Sequence, residues 1–246
     1  MRGARGVTHS PIRATLVGAG GLGGPLALSL GAAGIKLTIF DDDLVELSNL
    51  HRQIQFTAAD LGQPKATRLA GLVVSRGGKA RGVVAKWRMP SDLPPELAAY
   101  VDEADLIVDG SDDPITKFAV ADWAVANGRQ YVIAAALRYG GNVMAGVPGV
   151  ACYRCLFEEP TTDGPTCADA GVLGPVVGAI GGAAASIALG LVRGDRGLAG
   201  ALLSFEDLRQ VAEPRIVRFA PRPGCTACLH APISPLASPL RIAGAD

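Results

Sequence analysis

Two groups of side chains in this sequence have the types and spacing that chemistry requires. The first opens with Gly18-x-Gly20-x-x-Gly23, which follows the short apolar run Ala14-Thr15-Leu16-Val17 and precedes a helical stretch. In that setting Gly18, Gly20, Gly21 and Gly23 let the backbone approach a phosphate, and the free N–H groups of the helix N-terminus face its negative charge. Asp41 ends the next apolar run, where an acid accepts hydrogen bonds from ribose hydroxyls. Those residues would serve NAD equally well. The segment beyond them discriminates, because it crowds polar and charged side chains just past Asp41 and Asp43, where a nicotinamide would need an apolar slot. Asn49, Arg52 and Lys65 supply donors and two positive charges to a triphosphate, and Asp112, after another buried run, is placed to hold Mg²⁺. Cations and a metal around phosphates neutralise the charge that develops in phosphoryl or nucleotidyl transfer. Taken singly, Arg52 and Lys65 are surface charges; with the Asp41-x-Asp43 pair and the glycine loop they read as a phosphate site.

The second group is sulfur. Of five cysteines, Cys152/Cys155 and Cys225/Cys228 form two C-x-x-C pairs and Cys167 stands alone. Two chelating pairs supply the four thiolates of a closed, tetrahedral Zn²⁺ site, which has no open position for catalysis and is structural. The competing reading is two unmetallated pairs in a reducing compartment.

These residues need elements to position them. Apolar runs without alternation at 14–17, 36–40, 104–108 and 131–137, and a less apolar one near 81–86, read as strands, those without alternation being buried on both faces. Helical stretches at 25–33, 65–76, 93–102 and 114–127 lie between them. That alternation predicts an α/β fold, a Rossmann-like doubly wound and mainly parallel sheet whose strands release their loops at one edge. After residue 140 the rhythm changes: runs at 142–147, 201–206 and 215–219 with long connections predict an antiparallel C-terminal extension, held by the structural zinc site. One domain over 1–246 is expected, with irregular tails at 1–13 and 229–246. The uncharged stretch from Ala170 to Val192 is long enough for a bilayer. Its glycines and alanines supply little transfer energy, and Val176, Ile180, Ile187 and Leu191 share one helical face, so it reads as a closely packed buried helix starting near Pro175.

Composition narrows the partners. Lys plus Arg and Asp plus Glu are 23 each, so net charge argues for neither nucleic acid nor an acidic membrane. With 49% hydrophobic and 19% charged residues, the chain can bury a sizeable core. The N-terminal residues hold no apolar leader, so a cytoplasmic protein is expected.

The motifs, taken in order, resemble the ThiF/MoeB/HesA family, bacterial relatives of ubiquitin-activating enzymes. They are the glycine block 18–23, the block from Asp41 through Ser48-Asn49-Leu50-His51-Arg52-Gln53, Gly62-Gln63-Pro64-Lys65, Asp109-Gly110-Ser111-Asp112-Asp113, Cys152-x-x-Cys155, Thr166-Cys167-Ala168-Asp169 through Pro175, and Cys225-x-x-Cys228. The resemblance implies ATP-dependent adenylation of the C-terminal glycine carboxylate of a small ubiquitin-like sulfur-carrier protein ending in Gly-Gly. Gly20 with its neighbours and Asp41 would bind the adenosine part, Asn49, Arg52 and Lys65 the phosphates, and Asp112 the magnesium. Cys167 matches a position that in some members takes part in sulfur transfer or a covalent carrier intermediate; the other reading is a small unreactive residue. A homodimer formed through the Gly/Ala-rich helix is expected. The sequence departs from the family where an arginine segment precedes the first strand, leaving Arg2, Arg5 and Arg13 as candidates by proximity alone. The alternative function is a non-catalytic or divergent nucleotide-binding member that recognises a peptide or other acceptor.

Overall fold

Strand-forming runs and helices alternate through the first half of the chain: β1 (Arg13–Val17), α1 (Gly23–Ala32), β2 (Lys36–Phe40), α2 (Lys65–Ser75), β3 (Lys79–Val83), α3 (Pro95–Asp102), β4 (Leu106–Asp109), α4 (Pro114–Ala126) and β5 (Gln130–Leu137). There follow β6 (Gly140–Gly146), the single turn α5 (Tyr153–Leu156), α6 (Gly174–Val192), β7 (Ala201–Phe205) and β8 (Arg215–Arg218). The computed structural model describes residues 11–160, 171–210 and 213–228. Expected element ends shift by a few residues. The helix expected from Leu93 opens at Pro95, whose ring presets the first helical turn. The strand expected to end at Val108 takes in Asp109. Arg13 belongs to β1 and not to an irregular tail, because it pairs in register with Lys36 and its guanidinium meets Glu103 at 2.6 Å.

One eight-stranded sheet runs β3-β2-β1-β4-β5-β6-β7-β8. The first five are mutually parallel, and β6, β7 and β8 add antiparallel. Order reverses between β1 and β4, the place where the crossovers part and an open α/β sheet leaves a crevice at its carboxyl edge. Burial of both faces explains the unbroken apolar runs. Leu106 and Val108 of β4 face one layer, with Leu26 of α1, Leu69 of α2 and Ile180 of α6, while Ile107 faces the other, with Phe118 and Trp123 of α4.

Helix α6 is long and apolar enough to cross a membrane by length and composition. Its Val176, Ile180, Ala184, Ile187 and Leu191 are instead buried in the core, against α1, β5 and β6.

Between β2 and α2 the chain makes a long excursion with two 3-10 turns, Leu47–Asn49 and Ala58–Asp60. It carries Asn49 and Arg52, so what anchors it matters. Asp60 is 4% exposed and accepts from Thr57 N at 2.8 Å and Thr57 Oγ1 at 3.0 Å, closing a capping box, and it pairs with Arg68 of α2. The Thr57 N–H first, then its hydroxyl and the Arg68 guanidinium, hold the carboxyl below its ordinary value against the effect of burial. A lowered folded pKa stabilises at pH above the unfolded carboxylate value and loses that contribution as pH falls through the folded one. Asp60→Asn is therefore expected to cost about 1–2 kcal/mol at pH 7. The difference from the parent should shrink on acidification, as read by urea denaturation at several pH values; a constant difference would contradict this account.

Candidate nucleotide site

The glycine loop leaves β1 where strand order reverses. Gly18 turns the chain at φ +89°, a left-handed conformation, and a Cβ there would lie 3.0 Å from the backbone of Gly110 on the loop after β4. Asp41, just past β2, is tied to that loop: its Oδ2 accepts from Ala19 N at 2.7 Å and its Oδ1 from Asp43 N at 2.9 Å. Burial raises its pKa, while the two N–H groups and the Lys65 charge pull the other way.

Lys65 opens α2. Its N–H donates to Asp43 O at 2.9 Å, and its ammonium meets Asp43 Oδ2 at 2.7 Å. The pair reaches from inside to outside, with the Lys65 side chain 5% exposed and that of Asp43 67%. Arg52 bends back onto the 3-10 turn, donating to Asn49 Oδ1 and, at 3.4 Å, to Ser48 O. Lys65 is thus buried, whereas Arg52 is half-buried and folded onto the turn that precedes it.

The loop after β4 depends on a residue that sequence reading passed over. Lys117 of α4 is buried and its ammonium donates at 2.7 Å to Asp109 Oδ2, Ser111 O and Ala134 O, joining the end of β4 and the loop after it to the middle of β5. Asp109 has no exposed surface, and its Oδ1 accepts from Ser111 Oγ at 2.7 Å. Burial pushes its carboxyl above the ordinary range against the pull of Lys117 and Ser111. Asp113 caps α4, accepting from Ile115 N at 3.1 Å and Thr116 Oγ1 at 2.7 Å. Asp112, between these two fixed carboxylates, is exposed and has no hydrogen-bond or ion-pair partner among the described residues. The sequence signal for Lys117 was a lone lysine three residues after Pro114, a pattern shared with solvent-facing lysines.

Gly18, Gly20, Gly21, Asp41 and Asp43 from the first two strand ends line one cleft of about 1030 Å³ with Asn49, Arg52, Lys65 and Asp112. Gly23 does not line it; a Cβ there would lie 2.0 Å from Gly18 O, so this glycine lets α1 close on the loop from behind. The N–H groups of Gly20 and Gly21 have no acceptor among the described residues. Free N–H groups, two cations and an unpaired carboxylate around one space fit a phosphate chain with a hard cation, since Mg²⁺ takes oxygen ligands. The cleft continues past Ala136 to Gly141, Asn142 and Ser204 on the antiparallel side, which leaves room for a second reactant beside a nucleotide. Arg13 is at the other end of β1, paired with Glu103, and Arg2, Arg5 and Cys167 lie outside the described residues.

A separate cluster joins Cys152 and Cys155, around α5, to Cys225 and Cys228, after β8. Their Sγ atoms all lie within 4.8 Å of one another, with contacts of 3.7 Å (Cys152–Cys155), 3.6 Å (Cys152–Cys225) and 3.4 Å (Cys155–Cys228). Sulfurs about 2.3 Å from a tetrahedral zinc are about 3.8 Å apart, so this donor set fits Zn²⁺ with little movement. Burial, then the neighbouring thiols, push the Cys152 thiol up. Arg154 of α5 grips Asp122 of α4 at 2.7 and 2.8 Å, and Tyr153 N donates to Tyr131 OH at 2.9 Å. Tyr153 also lines the cleft, edge-on to Phe118 with ring centres 4.9 Å apart.

Removing one partner of a buried ion pair leaves the other charge uncompensated. Lys117→Met is expected to destabilise by about 3–5 kcal/mol, and adding Asp109→Asn should recover part of the loss in chemical denaturation. A cost for the single variant of under about 1 kcal/mol would mean that the pair does not hold the loop.

The model of the ThiF family matches residues 7–227. The chain is 36% identical over 224 residues to the sulfur carrier protein adenylyltransferase of Thermus thermophilus, covering 87% of this chain and 80% of that one. It is 34% identical over 220 residues to the SAMP-activating enzyme E1 of Haloferax volcanii, covering 88% and 80%. An Arabidopsis thaliana protein named adenylyltransferase and sulfurtransferase MOCS3 is 37% identical over 222 residues, but the match covers 87% of this chain and 46% of that protein, so the chain spans about half of its length. Among solved structures, E. coli MccB with ATP superposes with a TM-score of 0.71 at 20% identity over 88% of this chain and 66% of that one, which shows a shared fold.

Proposed function

Because the chain belongs to the ThiF family and its relatives are adenylyltransferases, we propose that its adenylyltransferase activity uses ATP and Mg²⁺ to activate the C-terminal glycine carboxylate of a small ubiquitin-like sulfur-carrier protein ending in Gly-Gly. The observation that carries this reading is the convergence, in one cleft at the switch point of the sheet, of free glycine N–H groups, Arg52, Lys65 and the unpaired Asp112. In this reading the loop from Gly18 to Gly23 and Asp41 hold the adenosine part and inner phosphates, with Gly23 acting through packing. Asn49, Arg52 and Lys65 bind the phosphates, Asp43 keeps Lys65 in place, and Asp112 holds Mg²⁺, which would supply charge neutralisation.

The chemistry asks little of the protein beyond this. The carrier's carboxylate is already ionised at neutral pH, so no general base is required. Its oxygen bonds to the α-phosphorus, the bond to pyrophosphate breaks, and an acyl-adenylate remains. Rate then comes from positioning the two reactants and from neutralising the departing pyrophosphate. Cys167, as a candidate to take the activated acyl group, belongs to this proposal as an expectation only.

Zn²⁺ at Cys152, Cys155, Cys225 and Cys228 is proposed as a structural ion that clamps the chain after β8 onto α5. The proposed setting is the cytoplasm, where a reducing environment keeps C-x-x-C pairs available to a metal. The chain is read as one adenylation domain working as a homodimer. Pro175, Ala179, Gly182 and Ser186 form an exposed, uncharged stripe on α6, and Leu47 and Ile54 stand exposed on the excursion whose His51 O lies against Gly174. That surface supports a second copy there.

Two outcomes test the reading. Labelled pyrophosphate should exchange into ATP only with Mg²⁺ and a carrier ending in Gly-Gly present, and Arg52→Ala or Asp112→Asn should lower that exchange by about 10²–10³-fold. ATP binding with no exchange for any such carrier would favour a non-catalytic member instead. Purified protein should carry about one zinc per chain; Cys155→Ser should lose the metal and lower the melting temperature, whereas full stability without metal would refute the clamp.

A further inference from the structure

Gln55 is not among the residues that line the cleft, yet it reaches back across the chain to the glycine loop. Its Nε2 donates to Ala19 O at 3.0 Å and to Gly20 O at 2.9 Å. Both facing atoms are carbonyl oxygens, so only the NH₂ end of the carboxamide fits there. The rest of that amide is packed over the start of α1: a Cβ on Gly24 would come 2.4 Å from Gln55 Oε1.

Two successive carbonyls held on one side have a consequence for their peptide planes. A trans peptide is planar, with its N–H opposed to its C=O. The Ala19 carbonyl shares a peptide with the Gly20 N–H, and the Gly20 carbonyl with the Gly21 N–H. Gln55 therefore turns both N–H groups to the opposite side, and Gly20 and Gly21 are cleft-lining residues whose N–H groups have no acceptor among the described residues. The neighbouring Ala19 N–H, by contrast, is held by Asp41. Gly20 O also accepts from Gly24 N at 3.0 Å as α1 begins, so the Ala19–Gly20 peptide is the one that Gln55 alone orients. Glycine neighbours make rotation of such a peptide easy, and a rotated peptide would present a carbonyl oxygen to an anion.

We propose that Gln55 is a positioning residue for the phosphate-binding loop, whose carboxamide aims the Gly20 and Gly21 N–H groups at the phosphates of a bound nucleotide. This rests on the nucleotide reading of the cleft, and the test separates the two. Wild-type protein, Gln55→Leu and Gln55→Met are titrated calorimetrically with Mg-ATP and, separately, with adenosine, after thermal melts establish which variants fold. Gln55→Met keeps the side chain's length and flexibility and decides the matter should the leucine variant not fold. The expected result is a loss of about tenfold in Mg-ATP affinity with adenosine affinity changed by less than about twofold. Equal losses for both ligands, or no loss for either, would overturn the role of Gln55. Wild-type protein that binds Mg-ATP no better than adenosine would instead overturn the phosphate site itself, a result visible before any variant is made.

Discussion

Strand order that reverses between β1 and β4 leaves a gap that no crossover helix spans, and several loops must leave the sheet there with their backbone polar groups near the protein interior. Each such group needs a partner, since an unpaired buried N–H or C=O costs as much as a lost hydrogen bond. Some partners are backbone groups, and others are side chains brought from elsewhere: Asp41 for the Ala19 N–H, Gln55 for the carbonyls of Ala19 and Gly20, and Lys117 for that of Ser111. Among the described residues the Gly20 and Gly21 N–H groups, which line the cleft, are left without an acceptor.

The two buried lysines show how location separates similar side chains. Lys117 is enclosed with a fully buried carboxylate and three oxygen partners; its ion pair acts as a fixed joint between β4, β5 and α4. Lys65 is equally buried, but its carboxylate partner is mostly in solvent and both line the cleft. An incoming phosphate can compete with an exposed carboxylate, which a buried pair would not permit. The sulfur cluster reaches the same cleft through α5, because Tyr153, next in sequence to Cys152, lines the cleft while Arg154 locks α5 to α4.

Much of this was legible in the sequence because it depends on neighbours in the chain. The apolar runs of β1, β2, β4 and β5 carried the parallel sheet, the shared face of Val176, Ile180, Ile187 and Leu191 carried α6, and the two C-x-x-C pairs carried the sulfur cluster. The candidate residues Asn49, Arg52, Lys65 and Asp112 line one cleft. Gly23, counted with the ligand-facing glycines in the sequence, does not line the cleft, and a Cβ there would meet Gly18 O. Arg13, a candidate by proximity alone, lies at the opposite end of β1 from the glycine loop and pairs with Glu103 on the surface. Lys117 and Gln55 went unremarked because nothing adjacent to them in the chain distinguishes a buried donor from a solvated one.

Residue types and short spacings by themselves determined the alternating strands and helices, the glycine turn, the chelating cysteine pairs and the set of charges available for phosphate chemistry. Those properties arise from backbone sterics, side-chain periodicity and bond geometry within a few residues. Only the tertiary structure decided which charges are desolvated, which carboxylate partners which cation, and which backbone N–H groups stay free. Such outcomes depend on burial and on contacts between residues far apart in sequence, like Gln55 with Ala19 or Lys117 with Ala134, where the energy of a polar group is set by what the fold brings against it.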